Sequence, residues 1–116
     1  MKEESCIFCQ ISNGEIKSEK IYENDSFFSI LDINPKSEGH SLVISKRHFN
    51  NILDIPETLA QECFDCIKNT AMVTMKDYNS EGFNIINNNF SAAGQEVNHI
   101  HFHIVPRKKE DGLKFL

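Results

Sequence analysis

Three of the five histidines in this chain lie within five residues, in the segment His99-Ile100-His101-Phe102-His103. The alternation of polar and apolar residues predicts a β-strand, in which the histidines share one face and the apolar residues share the other. We expect the apolar face to pack on the core and the imidazoles to stand in a row, roughly 6–7 Å apart at the backbone. Imidazole has a pKa of about 6.5, so it is a competent nucleophile and proton donor at neutral pH.

Three interpretations of this histidine row differ in their chemistry. The residues could be polar positions on a half-exposed strand, although three histidines in five residues are hard to explain as surface decoration. They could bind a metal, since neutral imidazoles at positions i and i+2 of a strand can ligate zinc. They could also perform nucleophilic and acid–base chemistry on a phosphate, where a phosphohistidine-type intermediate divides one displacement into two. The clustering favours this third interpretation.

The elements that must position these histidines are predicted from periodicity and turn residues. Strands come both before and after one long helix, so the pattern predicts an α+β antiparallel meander rather than a doubly wound parallel sheet. A helical turn is predicted over residues 6–14, strands over 21–23, 27–31, 40–45, 83–87 and 97–105, and an amphipathic helix over 57–78. We expect Pro106 to stop the last strand, and the charged tail from Arg107 onward to be mobile.

Length and charge limit the classes of protein to consider. The chain has 116 residues, which fits a single domain spanning residues 1–116. Its formal net charge of −5, from 12 basic and 17 acidic residues, argues against a protein that binds nucleic acid. No apolar run approaches the roughly 20 residues needed to span a bilayer, so no membrane association is expected. The first residues lack the apolar segment of a secretory signal, which favours a cytoplasmic location.

Four cysteines form two pairs with the same spacing, Cys6-x-x-Cys9 and Cys63-x-x-Cys66. In a reducing cytosol such pairs are better interpreted as metal ligands or small buried residues than as disulfides. The spacing of the first pair lets two thiolates chelate one ion. The second pair falls on core positions of the predicted helix, where cysteine behaves as a buried apolar residue. A four-cysteine site that uses both pairs is the alternative.

The segment HIHFHIV, residues 99–105, resembles the H-x-H-x-H-x-x signature of the histidine triad (HIT) family, in which x is hydrophobic. Its flanks, residues 93–95 and 106–107, also resemble those of the family. The segment HSLVISKRH, residues 40–48, is similar to the family's G-H-x-L-V-I-P-K-x-H, and residues 7–8 and 32–35 match in order and spacing. The resemblance covers nearly the whole chain and is nearest to the small single-domain branch that hydrolyses nucleoside phosphoramidates. It implies a five-stranded antiparallel sheet with one long helix and a short N-terminal helix, dimerising into a continuous sheet.

The resemblance also implies catalytic roles. His101 would be the nucleophile that attacks the α-phosphorus and forms a nucleotidyl-histidine, which water then resolves. His103 would contact the phosphate and assist proton transfer to the leaving group. The backbone carbonyl of His99 would hold the correct tautomer of His101, and His40 would border the phosphate pocket. Asn88 matches a position whose amide binds near the phosphate or leaving group.

Binding of a purine nucleotide is expected from further matching positions. Asp32 would accept hydrogen bonds from the ribose hydroxyls, because a carboxylate can accept from two vicinal hydroxyls at once. Phe8 and Ile33 would sandwich the base. Gln95 and Glu96 would lie at the phosphate, and Glu96 departs from the family, whose close relatives usually carry a donating Ser or Thr there. An ionised glutamate cannot donate and repels a phosphate, so either its backbone N–H serves or the leaving-group preference differs.

Some relatives complete a Cys-x-x-Cys pair with two histidines, and the matching residues are present here. The resemblance therefore implies a structural tetrahedral zinc site made of Cys6, Cys9, His48 and His99, with His99 unavailable as a proton donor. No metal is expected to be needed at the phosphate, because histidines and backbone donors supply the positive field. The alternative functions are a dinucleoside polyphosphate hydrolase, a purine-nucleotide-binding module with vestigial catalysis, and a metal-dependent hydrolase that uses the triad as ligands.

Overall fold

The structure is a computed structural model that describes residues 5–116. Its elements are helix α1 (Ile7–Ser12), strands β1 (Tyr22–Glu23), β2 (Phe27–Leu31) and β3 (Ser41–Ser45), helix α2 (Ala60–Asp77), and strands β4 (Gly82–Ile86) and β5 (His101–Arg107). Short 3-10 turns cover Ile52–Asp54, Glu57–Leu59 and Ser91–Ala93. The strands form one antiparallel sheet in the order β1-β2-β3-β5-β4. The predicted α+β fold with five strands, one long helix and a short N-terminal helix is confirmed.

The two faces of the sheet carry two separate apolar clusters, as strand alternation requires. On one face α2 packs its buried residues, Cys66 and Ala71 among them, against Val43, Phe102 and Ile104. On the other face α1 contributes one side of the second cluster, whose members are Cys6, Phe8, Ile11, Phe28, Ile30, Leu42 and Ile44. The prediction that the apolar face of the histidine strand packs on the core is therefore confirmed. His101 and His103 belong to the α1 face of the sheet, opposite α2.

Strand β5 differs from its predicted limits at both ends. It begins at His101 rather than residue 97, because the chain before it bonds to a loop, with the N–H of Ile100 donating to the carbonyl of Phe49 over 2.7 Å. It also runs through Pro106 to Arg107. Pairing with β3 ends at Ile104, so Pro106 lies where β5 has only β4 beside it, and such an edge position tolerates a residue without an N–H.

The charged tail after β5 is held against the sheet, which corrects the expectation that it is mobile. The guanidinium of Arg107 donates to both carboxylate oxygens of Asp111, to Asn84 Oδ1 and to the carbonyl of Leu113, over 2.7–2.8 Å. The N–H of Lys109 donates to a carboxylate oxygen of Glu81 over 2.9 Å. A charged tail can thus be ordered by its own pairing, a feature that composition does not reveal.

No helix in residues 5–116 is long and apolar enough to cross a membrane.

The four-cysteine alternative is wrong, because the two cysteine pairs lie on opposite faces of the sheet. Cys66 is fully buried under α2 and Cys63 packs beside it, whereas Cys6 belongs to the cluster under α1. Burial raises the pKa of the Cys63 thiol to about 11 and that of the Cys66 thiol to about 12. The second pair is therefore neutral core, as the helical spacing predicted.

Candidate active site and metal centre

Strands β3 and β5 place two histidines of the triad side by side. His101 is the cross-strand partner of Ile44, and His103 is the partner of Leu42. The rings of His101 and His103 are 5.1 Å apart between centroids, and the ring of His40 lies 5.2 Å beyond that of His103. His99 precedes the strand and is fully buried, with its Nδ1 3.2 Å from Cys6 Sγ on the same α1 face of the sheet, so two of the three imidazoles lie on the strand itself. His40, at the entrance to β3, adds a further ring beside His103.

The geometry of His101 suits a nucleophile. Its Nδ1 lies 2.8 Å from the carbonyl oxygen of His99, so Nδ1 carries the proton and Nε2 keeps its lone pair. This is the contact that the resemblance implied. Burial lowers the pKa of His101, although the bond to the His99 carbonyl and the charges of Asp32 and Glu96 oppose that effect. The imidazole is therefore neutral at neutral pH, with one nitrogen free to attack.

His40 and His103 form a second polar cluster with Asp32. Nε2 of His40 lies 2.9 Å from Nδ1 of His103 and 3.4 Å from a carboxylate oxygen of Asp32. The same carboxylate oxygen is 3.9 Å from Nδ1 of His103. Nδ1 of His40 accepts a hydrogen bond from the main-chain N–H of Lys36 over 2.9 Å. Burial is the main cause that lowers the pKa of both imidazoles, that of His103 to about 4.

A cleft of about 780 Å³ borders His40 and His103. Three cationic side chains line it, Lys36, Arg107 and Lys114, with Arg107 already paired to Asp111, and none of the described residues that line it is acidic. Asn88 lies in the same wall, which is where the resemblance expects an amide near the phosphate or leaving group. Positive charge lining this cleft contrasts with the net charge of −5 for the whole chain. The cleft can thus accept an anionic group beside the histidines.

The loop before the triad is ordered by Gln95. Its side-chain carbonyl accepts from the N–H of Phe90 over 2.7 Å, and its amide donates to the carbonyls of Asn50 and Val97. Phe90 itself has φ 71 and ψ 153, a conformation that a residue with a side chain rarely adopts. Glu96 is exposed, and its charge favours the protonated form of His101. Gln95 thus shapes the loop, while Glu96 acts on His101 through its charge.

The residues expected to hold the nucleoside lie in three different environments. The Asp32 side chain is 16% exposed and faces His40 and His103. Ile33 is 89% exposed, whereas Phe8 is 6% exposed and meets the rings of His99 and His101 edge to face, with centroids 5.6 and 5.2 Å apart. Phe8 therefore packs against the two imidazole rings and restricts their orientation. The sandwich of the base between Phe8 and Ile33 stays a prediction.

A second cluster of side chains has the composition and geometry of a metal centre. The ligand atoms of Cys6, Cys9, His48 and His99 all lie within 4.8 Å of one another. Nδ1 of His99 is 3.2 Å from Cys6 Sγ and 3.5 Å from Cys9 Sγ, and Nδ1 of His48 is 3.2 Å from Cys9 Sγ. A tetrahedral Zn²⁺ with ordinary bond lengths separates nitrogen and sulfur ligands by roughly 3.5 Å. The four residues therefore fit zinc.

The hydrogen bonds around the two histidines agree with this fit. Nε2 of His99 lies 2.8 Å from the carbonyl oxygen of Ser45, so that nitrogen carries the proton and Nδ1 keeps a lone pair directed at the thiols. Nε2 of His48 lies 3.0 Å from Asn50 Oδ1, which favours the same tautomer. Both imidazoles thus offer the nitrogen that a metal needs.

Sequence reasoning missed the residues that support this machinery. Ser45 and Asn50 orient the two histidines of the metal centre, and Asn87 donates to the carbonyl of His101 over 3.0 Å. The run of three asparagines at 87–89 was the available sign of a polar network. The main-chain N–H of Lys36 donates to Nδ1 of His40, and no sequence pattern could have predicted that contact because every residue except proline has this group.

The chain combines an antiparallel sheet, a strand-borne histidine pair and a cluster of two cysteines and two histidines, and comparisons with known proteins identify its family. The HIT domain profile matches residues 13–110. The chain is 45% identical over 107 residues to an uncharacterized HIT-like protein of Methanocaldococcus jannaschii, covering 92% of this chain and 82% of that protein. This chain therefore belongs to the HIT family.

Several relatives are named for an activity. The chain is 40% identical over 110 residues to adenosine 5'-monophosphoramidase HNT1 of Candida albicans, covering 91% of this chain and 72% of that protein. It is 40% identical over 108 residues to adenylylsulfatase HINT3 of Arabidopsis thaliana, covering 93% of this chain and 55% of that protein. Both names describe cleavage of nucleotide derivatives.

Solved structures agree with this assignment. A HIT family protein from Bacillus subtilis superposes with a TM-score of 0.89 at 38% identity, covering 97% of this chain and 80% of that chain. A zinc-bound histidine triad protein from Mycobacterium smegmatis superposes with a TM-score of 0.89 at 37% identity, covering 98% of this chain and 83% of that chain.

Proposed function

We propose that this HIT protein cleaves derivatives of nucleoside 5'-monophosphates at the α-phosphate, with phosphoramidates as one substrate type. The observation that carries the proposal is the neutral His101, whose Nδ1 is bonded to the His99 carbonyl so that Nε2 is free to attack. Attack forms a bond from Nε2 to phosphorus while the bond to the leaving group breaks, and His103 assists the transfer of a proton to an amine leaving group. Water then displaces the imidazole and releases the nucleoside monophosphate.

The remaining side chains of the site are assigned by their position. Asp32 accepts from the ribose hydroxyls, Phe8 and Ile33 bound the base of a purine nucleotide, and His103 and Asn88 contact the phosphate or leaving group. Gln95 holds the loop that closes over the phosphate, consistent with its three main-chain bonds. The negative charge of Glu96 raises the basicity of His101 and repels a phosphate, so we assign the contact there to its backbone N–H.

The anionic or neutral character of the leaving group separates the candidate substrates. The cations that line the cleft favour leaving groups that carry negative charge, such as sulfate or a second phosphate, as in a dinucleoside polyphosphate. We expect Lys114→Ala to slow turnover of adenosine 5'-phosphosulfate more than turnover of adenosine 5'-phosphoramidate. Equal slowing on both substrates would remove the support for an anionic leaving group.

The experiment that tests the proposal is hydrolysis of adenosine 5'-phosphoramidate by the wild type and by His101→Ala. Turnover in the wild type, lost in the variant, together with a labelled nucleotidyl-protein that forms in the wild type alone, is the expected result. Removal of weakly bound metal with a chelator should leave the chemical step in place, because the histidines act without a metal at the phosphate. No turnover in either protein would favour a binding module, and loss of turnover with chelator while the zinc of the Cys6, Cys9, His48 and His99 cluster stays bound would favour a metal-dependent hydrolase.

We also propose that Cys6, Cys9, His48 and His99 hold a structural zinc ion. When bound, zinc supplies a closed tetrahedral crosslink between α1 and the segments that carry the two histidines. Such thiol ligands are retained in a reducing compartment, so we assign the protein to the cytoplasm. Metal analysis of protein purified without chelator should give about one zinc per chain. Protein that folds fully with no zinc would refute this part of the proposal.

We further propose a homodimer built on the edge of the sheet. Strand β4 is an edge strand, and with α2 it exposes an apolar patch that includes Phe64 (66% exposed), Met72 (59%), Phe83 (40%) and Ile85 (52%). Such a patch on an edge is typical of an interface, and a second copy would extend the sheet. Light scattering should give the mass of a dimer for the wild type and of a monomer for Phe83→Asp. A monomeric wild type would contradict the proposal.

A further inference from the structure

The phosphate loop, residues 89–95, is held at both ends by one neighbouring segment of chain. At the C-terminal end of the loop, the amide of Gln95 donates to the carbonyl of Asn50. At its N-terminal end, the side-chain carbonyl of Asn89 accepts from the main-chain N–H of Ile52 over 2.8 Å. The position of that segment therefore affects the whole loop.

These contacts are needed because the loop contains a costly backbone conformation. Phe90 has φ 71 and ψ 153, and it is 55% exposed, so core packing does not hold it there. Gln95 holds it instead, because its side-chain carbonyl accepts from the N–H of Phe90 over 2.7 Å and its own N–H donates to the Phe90 carbonyl over 3.2 Å. A strained residue persists only where its surroundings enforce it, so the loop should relax once Gln95 is released.

Asn50 also contacts the metal centre. Nε2 of His48 donates to the side-chain Oδ1 of Asn50 over 3.0 Å, and Nδ1 of His48 lies 3.2 Å from Cys9 Sγ. The side chain of Asn50 thus meets the metal centre, while its carbonyl meets Gln95. One residue therefore joins the metal centre to the phosphate loop through direct hydrogen bonds.

The environment of Asn50 makes this link separable from the stability of the core. Asn50 is exposed, so truncation of its side chain opens no cavity. Its main-chain N–H donates to a carboxylate oxygen of Asp54 over 3.2 Å, a bond that any residue except proline can keep at this position. Asn50→Ala therefore removes the contact with His48 and little else.

We propose that Asn50 is a positioning residue that couples the metal centre to the phosphate loop, so that binding of Zn²⁺ at the first and of a nucleoside 5'-monophosphate at the second strengthen each other. The inference rests on the proposed function, including its zinc site. With its Nδ1 held by a metal, His48 directs Nε2 at Asn50, and Asn50 in turn holds Gln95. Order that the loop already has no longer opposes nucleotide binding, and by linkage the nucleotide raises the affinity for the metal by the same factor.

The test measures how far adenosine 5'-monophosphate raises the affinity of the full chain for zinc. Zinc-loaded protein is titrated with a chromophoric chelator, with and without saturating nucleotide, and a titration without protein corrects for metal bound by the free nucleotide. In the wild type the nucleotide should raise the zinc affinity about fivefold or more. In Asn50→Ala this ratio should fall about threefold, whereas Asn50→Asp, which keeps an acceptor for His48, should retain it.

Two comparisons distinguish this coupling from a general effect on stability. Asn69→Ala, on α2 at the opposite face of the sheet, removes an amide that bonds to Asp65 and should keep the wild-type ratio. If loss of zinc unfolded the chain, a nucleotide that binds only the folded state would also raise the zinc affinity. That effect would persist in Asn50→Ala, whereas coupling through the side chain of Asn50 would not.

Hydrogen exchange of the Phe90 amide gives a second readout, because this N–H donates to the side chain of Gln95. In zinc-loaded Asn50→Ala, the Phe90 amide should exchange about tenfold faster than in the wild type. The amide of Val43, in the middle of β3, should exchange at the same rate in both proteins.

The outcomes separate this proposal from the function on which it rests. A ratio of about one in the wild type, an equal ratio in Asn50→Ala, or unchanged exchange at Phe90 would overturn the coupling, while turnover sensitive to His101→Ala kept the proposed function. A wild type that binds no zinc would overturn the coupling and the zinc site together. Loss of the sensitivity to His101→Ala would overturn the proposed function, whatever the ratio.

Discussion

Lowering the pH from about 7 to about 5 is expected to destabilise this protein by about 2 kcal/mol through His103 alone. The folded pKa of His103 is lowered to about 4, by burial first and then by the neighbouring His101 and His40, against the opposing charge of Asp32. In the unfolded chain a histidine titrates at about 6.5. Because the unfolded state takes up the proton first, the stability contribution is fully present above about pH 6.5 and is lost as the pH falls toward 4.

The magnitude follows from the two pKa values. At about pH 5 the unfolded imidazole is almost wholly protonated and the folded one is almost wholly neutral, which gives the figure of about 2 kcal/mol and about 3 kcal/mol near pH 4. The side chain is 22% exposed, so solvent screening does not remove the effect. The comparison that isolates His103 is His103→Gln, which keeps a donor of similar reach but cannot titrate.

The assay is urea unfolding at about pH 7 and about pH 5, with wild type and His103→Gln measured in the same buffers. Both proteins share the titrations of the other histidines, so these largely cancel between the two. The wild type should lose about 2 kcal/mol more than His103→Gln over this interval. An equal loss in the two proteins would mean that His103 is not held neutral by the fold, and the reasoning about its environment would fail.

Two further outcomes follow from local geometry. Cys9→Ser should lose bound zinc and have a lower melting temperature than the wild type. Its control is Cys63→Ser, in the core under α2, which should keep its zinc in metal analysis. Full zinc occupancy in Cys9→Ser would contradict the proposed ligand set. Gly39→Ala should cost about 2 kcal/mol or more in thermal unfolding, because φ is 85 and the new Cβ would lie 2.5 Å from the ring of Tyr78. Gly14→Ala is its control, since φ is 86 there but nothing lies within 4 Å, and equal costs would exclude the clash as the cause.

Periodicity predicted the elements of this fold well, but not the ends of its histidine strand. The alternation from His99 onward looks uniform, yet only the residues from His101 pair with neighbouring strands. A strand can begin only where a neighbouring strand is available for pairing. Ile100 pairs with no strand, because its N–H donates to the carbonyl of the distant Phe49. That bond spans about fifty residues of sequence, so no local pattern could contain it.

The same limit applies to the candidate site. The residue types, their spacing and the family resemblance predicted two groups of side chains that the structure brings together, the histidines His40, His101 and His103 and the cluster of Cys6, Cys9, His48 and His99. What directs each imidazole is mostly main chain: the carbonyl of Ser45 for His99, the carbonyl of His99 for His101, and the N–H of Lys36 for His40. Every residue has such groups, so their role depends on the folded geometry and leaves no sequence pattern.

His99 belongs both to the proposed metal centre and to the proposed reacting site. Its Nδ1 faces the thiols of Cys6 and Cys9, its Nε2 is bonded to Ser45, and its carbonyl accepts from Nδ1 of His101. A bound zinc ion would therefore restrain the residue whose carbonyl selects the nucleophile's tautomer, although it would touch no substrate. A loss of zinc that lowers the catalytic rate would then act by freeing this carbonyl, since a rotation of His99 removes the bond that leaves Nε2 of His101 free to attack.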